Sequence, residues 1–377
     1  MRKTINIGDL GTIITGKTPP TTNKNYYGDY AVFIKPTDIS EQSKYTYETE
    51  EMYSRLAAEK YESSLIPKGA ICVPCIGTIG TKMTMAPCDC YTNQSINSIV
   101  CNDRYDNEYV YYLIKNFLPG LKSYNLGTAS GREYVSKSNF EKIELVAEQD
   151  KTIQKKIGEF LSRYDSLIEN YQKQIKLLEE AAQRLYKEWF IDLRFPGHEN
   201  TNIIDGVPEG WEKKSITDVL EIKYGKDHKL LKEGTIPVYG TGGIMRYVEK
   251  SLFTGESVLI PRKGSLNNIM LVGGTFWTID TMFYSIPKEN NVAKIVYFYL
   301  KGVDMYSFNI GAAVPSMTVN ILSGMKLLVP NEDVKNKFET IASKYFIRMH
   351  SLQSQLRLLT EARDRLLPKL MSGEIEI

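Results

Sequence analysis

Two long stretches of this chain repeat one another at a constant offset, and both carry the apolar spacing of a coiled coil. The first runs from near Asp150 to near Ile191, the second from just after Pro330 to near Met371. Shifted by 181 positions they align without a gap. Ser162 meets Ser343, Tyr164 meets Tyr345, Gln172 meets Gln353 and Gln174 meets Gln355. Leu177, Leu178, Glu180, Ala181, Arg184 and Leu185 meet Leu358, Leu359, Glu361, Ala362, Arg365 and Leu366. The first seam steps through Ile157, Phe160, Tyr164, Leu167, Tyr171, Gln174, Leu178, Ala181 and Leu185. The second steps through Phe338, Ile341, Tyr345, Arg348, Leu352, Gln355, Leu359, Ala362 and Leu366. Alternation of three and four is the period of helices that wrap around a partner helix. At 1.5 Å per residue each helix reaches roughly 60 Å, long for one domain to cover. Two ordinary amphipathic helices, each packed on its own domain, are the plainer alternative. Gln174 and Gln355 share one seam position, where a polar residue fixes register at some cost in stability.

The segments before the helices match more weakly. Gly16-Lys17 pairs with Gly225-Lys226, and Ile71-Cys72-Val73-Pro74 with Val258-Leu259-Ile260-Pro261. Gly77 meets Gly264, Met83 meets Met270, Asn93 meets Asp280, and Leu126-Gly127 meets Ile310-Gly311. Short apolar and β-branched runs alternate there with Gly and Pro turn signals, the pattern of a mixed globule rich in strands. Tyr109 to Phe117 and Val292 to Leu300 predict matching short helices. The predicted fold class is therefore α/β (α+β): two mixed globules and two long antiparallel coiled-coil helices in a pseudo-two-fold tandem repeat. The boundaries are 1–149 for globule one, 150–192 for helix one, 193–330 for linker and globule two, and 331–377 for helix two and tail. This arrangement predicts a dumbbell.

Chemistry is sparse. Lys+Arg 47 against Asp+Glu 45 gives a net charge of +2, which neither demands nor excludes nucleic acid. No run of about 18 apolar residues exists, so no membrane partner is expected. The opening Met1-Arg2-Lys3-Thr4-Ile5-Asn6 lacks an apolar secretion segment. All five cysteines fall between Cys72 and Cys101; an odd count without a signal segment predicts reduced thiols and a cytoplasmic protein. Cys72, Cys75, Cys88 and Cys90 loosely resemble a zinc set, but Ile71-Cys72-Val73 reads as a buried strand where a thiol packs as a small hydrophobe. No metal is expected. Gly11 to Thr18 fits the letters of a phosphate loop, yet Pro19-Pro20 follows where a helix must begin. No nucleotide fingerprint, methyltransferase motif or nucleophile–base pair is present, so no catalytic residue is assigned.

Polar and basic loop clusters remain. In the first globule they are Lys17-Thr18, Lys35, Asn93-Gln94 and Arg132; in the second, Lys226 and Arg262-Lys263-Gly264-Ser265-Leu266-Asn267. Arg, Lys, Asn and Gln on loops contact base edges in a bidentate manner, while Lys, Ser and Thr reach phosphates. These residues are the candidate DNA-binding set, weighed against a plain solvated surface. The spacer set is Tyr164, Gln174, Leu178, Leu185, Tyr345, Gln355, Leu359 and Leu366.

The closing segment Leu356 to Ile377 resembles that of type I restriction–modification specificity subunits. So do Glu179 to Phe190, the run Val207-Pro208-Glu209-Gly210-Trp211, Gly16-Lys17-Thr18-Pro19, Thr92-Asn93-Gln94 and Glu148-Gln149. The one departure is Val329-Pro330-Asn331-Glu332-Asp333, at the start of helix two. The resemblance implies two target-recognition domains, each reading half of an asymmetric bipartite site in double-stranded DNA. It implies that the helices act as spacer and as docking surface for two modification subunits. Those subunits bind S-adenosylmethionine and methylate adenine. Up to two restriction subunits would use ATP and Mg. The chain itself would hold no cofactor and catalyse nothing. A coiled-coil scaffold without a DNA role and an enzyme are the competing classes.

Overall fold

The computed structural model describes residues 1–125, 127, 133–311 and 314–377. Both heptad stretches are helices, Lys151–Tyr186 and Glu332–Ser372, the first extended by a wide π turn over Lys187–Ile191. Their starts are capped alike. Asp150 Oδ1 accepts the Thr152 amide at 2.7 Å, and Asn331 Oδ1 accepts the Val334 amide at 3.1 Å. Each side chain satisfies a donor that the first helical turn leaves open. Asp150 and Asn331 stand 181 apart, so the segment that departs from the family pattern keeps its cap.

The chain divides into two compact units, Met1–Lys173 with Leu352–Ile377, and Gln174–Ser351. Each unit takes part of both helices, a division that cuts across the linear order of globule and helix. Within the first unit, Ile157 and Leu161 share a core with Leu367, Leu370 and Met371. Asp165 pairs there with Arg363. Within the second, Tyr186 shares a core with Phe338, and Gln174 accepts a hydrogen bond from Arg348 at 3.3 Å. In each unit one helix index rises as the other falls, so the pairing is antiparallel.

The two units are built on the same strand plan. In the first, Gly11–Thr15, Ile96–Cys101, Ile71–Pro74 and Thr84–Met85 form a four-stranded antiparallel sheet. In the second, Leu220–Tyr224, Met282–Pro287, Ser257–Pro261 and Met270–Val272 do so in the same order. A second sheet in each unit contains one parallel pair, Phe33 beside Tyr91 and Val238 beside Trp277. Arg2–Asn6 pairs with Glu144–Glu148, and Glu212–Ser215 with Lys326–Val329, which brings both ends of each globule to the root of a long helix. The predicted short helices are Asn107–Phe117 and Ala293–Lys301. Their buried faces supply Tyr109 to Ile114 in one unit and Ile295, Val296, Phe298 and Leu300 in the other.

Gly11–Thr15 being a strand paired with Ile96–Cys101 disposes of the phosphate-loop spelling, because these residues are extended where such a loop must wrap around an anion. The thiols of Cys72, Cys75 and Cys101 are pushed up to about 12 by burial. Cys72 and Cys90 lie in one apolar cluster with Ile34, Ile66 and Ile96. Among the described residues no helix is long and apolar enough to cross a membrane.

Candidate nucleic-acid interface

Each unit carries a cradle at one end of its sheets. In the first, Gly16 and Lys17 leave strand Gly11–Thr15, and their amides donate to the carbonyls of Ile96 (3.2 Å) and Thr92 (2.9 Å). In the second, Gly225 and Lys226 donate to Met282 (3.0 Å) and Thr278 (2.9 Å). Only glycine permits this approach: a Cβ on Gly16 would collide with the Thr92 backbone, and one on Gly225 with the Ile279 carbonyl. The lysine carbonyl is then held by a ring donor from the second sheet. Tyr53 Oη donates to Lys17 O at 2.6 Å, and Trp277 Nε1 to Lys226 O at 2.9 Å. Both lysine side chains are exposed. The backbone is fixed while both side chains face solvent.

The next segment is also duplicated. The amides of Cys75 and Arg262 donate to Ser95 (2.7 Å) and Thr281 (2.8 Å). Their carbonyls accept Val135 (2.9 Å) and Met317 (2.9 Å). Gly77 and Gly264 then take φ of 83° and 84°. Asn125 Oδ1 collects the amides of Gly127 and Tyr134, as Asn309 Oδ1 collects those of Gly311 and Ser316. This asparagine pair, two residues before the matched Gly127 and Gly311, was not among the sequence correspondences.

Hydrogen bonding corrects one of those correspondences. Asn93 donates its amide to Ile34, and Ile279 to Tyr239; Asn93 also accepts Ile96 as Ile279 accepts Met282. Asn93 therefore corresponds to Ile279, and Gln94 to Asp280. The sequence match of Asn93 with Asp280 was one residue out, because a polar pair looked better than an Asn–Ile pair.

The candidate residues stand as follows. Thr18 Oγ1 donates to the exposed Gln94 side chain. Lys17 Nζ reaches Ser63 Oγ at 3.4 Å. Lys35 is engaged by Glu50 at 2.8 Å and Glu51 at 3.2 Å. Partial burial pulls it down, but these carboxylates outweigh that and hold it above the ordinary lysine value. Arg262 stacks over Tyr224, 5.4 Å from the ring centre, and its Nη1 donates to the Asp280 carbonyl at 3.1 Å. Lys263 and Ser265 are exposed beside it. Asn267 is exposed but its side chain is engaged within the chain: it donates to Asp304 at 3.1 Å and accepts the Met305 amide at 2.8 Å. Arg132 lies outside the described residues. The structure thus gathers Lys17, Thr18, Asn93 and Gln94 in one cradle, and Lys226, Arg262, Lys263 and Ser265 in the other.

Along the helices, Tyr164 packs on Phe160 with ring centres 5.7 Å apart. Leu185 and Tyr345 pack on the second core, and Leu366 on the first. Leu178 and Leu359 are half-buried, while Gln355 is exposed and its repeat mate Gln174 takes Arg348. The heptad reading missed Asp165, Tyr112 and Arg363, which form a buried network at 2.5 and 2.6 Å. Burial first, then Asp165, pushes the Tyr112 hydroxyl far up. Comparing repeat-related positions, where charge replaces Phe346 and Ala182, is the signal that could have found it.

The family model described as type I restriction modification DNA specificity domain matches residues 2–180 and again 208–352. The type I restriction enzyme MjaIX specificity subunit of Methanocaldococcus jannaschii is 26% identical, over 98% of this chain and 93% of its own. The HindI specificity subunit of Haemophilus influenzae is 38% identical over 40% of this chain and 33% of its own. In fold, the crystal structure of the type I restriction–modification S subunit from M. genitalium matches with a TM-score of 0.64 at 18% identity, covering 98% of this chain and 96% of that one. Matched twice, once for each cradle-bearing globule, the chain belongs to the type I restriction–modification DNA specificity domain family.

Proposed function

We propose that this chain is the DNA-specificity subunit of a type I restriction–modification complex, each unit reading one half of an asymmetric, bipartite double-stranded site. The observation that carries this reading is the cradle built twice on one backbone plan with unlike side chains. Cys75 stands where Arg262 stands, Asn93 where Ile279 stands, and Gln94 where Asp280 stands. Equal scaffolds with unequal side chains suit two readers of unlike sequences, since base identity is read by side chains at groove edges while the scaffold sets register.

In this reading the long helices set the unread spacer and dock two modification subunits, which supply S-adenosylmethionine and the methyl transfer to adenine. Restriction subunits, where present, supply ATP- and Mg-dependent cleavage. The chain contributes recognition and no catalytic group.

Single-molecule methylome sequencing of the host with and without the gene tests this directly. One bipartite adenine-methylated motif should vanish on deletion; survival of every motif, with no specific binding by the purified complex, overturns the reading. Binding should also weaken steeply with salt, because cradle lysines release counterions from phosphates.

A further inference from the structure

Beside its cradle the second unit has a surface that the described residues of the first do not form. Strand Glu233–Gly240 turns back at once through Thr241 and Gly242 into Gly243–Val248, with Gly240 opposite Gly243. The positive φ that lets the chain rejoin the ladder falls on Gly243, at 112°, the residue just after the two central ones. The resulting edge strand exposes Ile244 by 50% and Met245 by 57%. Edge strands are ordinarily guarded by charge or proline, because bare apolar side chains there invite unwanted pairing.

This ribbon is tied to the basic loops. Asn268 Nδ2, from the loop that carries Arg262, donates to the Thr241 carbonyl at 2.6 Å. Arg246 Nη2 donates to the Leu231 carbonyl at 2.8 Å, fastening the ribbon to the loop that begins at Lys226. That loop exposes Lys226, Lys229 and Lys232, and Lys263 is exposed on the neighbouring turn. Leu230, within the same loop, is 99% exposed. Apolar tips among cations match a DNA groove, where phosphates flank the base edges. One base edge in the major groove is apolar, the 5-methyl of thymine, and that groove is wide enough for a two-stranded ribbon.

The first unit differs at the same place. After the matching strand Ala31–Ile34, the chain closes a polar turn in which the Lys35 amide donates to Asp38 Oδ2 at 2.7 Å. The next strand of that sheet, Met52–Tyr53, comes only after a long excursion.

Resting on the DNA-reading function above, we infer that the Thr241–Met245 ribbon tip is a base-reading element of the second unit, with Ile244 and Met245 packed against thymine methyl groups in the major groove. The test uses the full chain assembled with its modification subunits, on duplexes carrying its own bipartite site. Each thymine is replaced in turn by deoxyuridine, which lacks only the methyl. One buried methyl is worth about fourfold in affinity. One or two thymines, all in one half-site, should show that loss. In Ile244→Ala and Met245→Ala the site should bind about fourfold less tightly, and the deoxyuridine penalty should vanish at the matching thymine. A target without thymine in either half-site, indifference to every replacement, or a penalty that both variants retain overturns the inference. Absence of any preference for the bipartite site by the unaltered complex overturns the DNA-reading function as well, whereas specific binding with indifferent thymines overturns the ribbon alone.

Discussion

At positions 181 apart, the first unit sets Asp165 where the second sets Phe346, and Arg363 where the second sets Ala182. In the first, Asp165 takes Arg363 Nη1 at 2.6 Å and Tyr112 Oη at 2.5 Å, all three buried. In the second, Phe346 lies 5.8 Å from Phe298 and 5.7 Å from Tyr297, ring centre to ring centre. Beside Ala182 and these rings is an open pocket of about 320 Å³. At this level the first unit joins its long helices by a buried ion pair, whereas in the second Phe346 packs on rings of the short helix Ala293–Lys301. The repeat preserves the backbone path, which helical period and caps dictate. It does not preserve contact chemistry, because any set of side chains that fills the gap between two helices and leaves no charge unpaired will serve.

That contrast can be broken most forcefully at Arg363. Arg363→Ala leaves Asp165 buried without its cation and should destabilise the chain by about 3–5 kcal/mol. Asp165→Phe together with Arg363→Ala installs the two second-unit residues and should recover part of the loss, the buried Tyr112 hydroxyl being left without its acceptor. Thermal unfolding of the full chain measures both, and a double variant as unstable as the single one would show that the pairing does not account for the cost.

The cradles come next. Arg262→Ala should relax one half-site by about 1–3 kcal/mol and leave the other intact, since the first cradle has Cys75 in place of this arginine. Cys75→Ala, at the corresponding buried position, should alter neither. Binding to duplexes varied one half-site at a time separates these outcomes, and equal weakening on all sequences would make Arg262 a phosphate contact.

Where the units agree, substitutions should agree. Asp150→Ala and Asn331→Ala each remove one N-cap and should each cost about 1 kcal/mol. A large inequality in chemical denaturation would mean that the two helix starts are not equivalent in energy.

The smallest effect concerns acid. Glu289, in the second unit, is held below the ordinary carboxylate range by its hydrogen bond to Lys214, with Lys335 adding to it against the pull of burial. Its folded value lies under the unfolded one, so its stabilisation is complete above about pH 4.3 and fades as pH falls through the folded value. Glu289→Gln should lower stability in the neutral region and flatten that limb of the stability–pH curve, so that the two curves converge in acid.

Much of the architecture was legible because it is written in periods and local signals. Heptads, turn residues and caps act over a few residues, so the long helices, the Tyr109 and Val292 helices and the Gly16 and Gly225 turns could be read directly. The candidate interface was legible in part. Lys17, Thr18, Lys226 and Arg262 sit in turns that announce themselves by glycine. Lys35 and Asn267 look identical in sequence to surface groups, yet carboxylates and a neighbouring turn engage their side chains. The ribbon tip at Ile244 and Met245 escaped notice because apolar residues in a strand read as core unless the strand is known to be an edge.

The amino-acid sequence by itself determined that this chain is a tandem repeat of globule and long helix, because repetition and period survive without coordinates. Only the tertiary structure decided which residues of the two halves correspond, as the one-residue shift of Asn93 onto Ile279 shows. It also decided that one helix contact is ionic and the other aromatic. Those outcomes depend on side chains distant in sequence, Asp165 with Arg363 and Phe346 with Phe298, brought together by packing that no local pattern encodes.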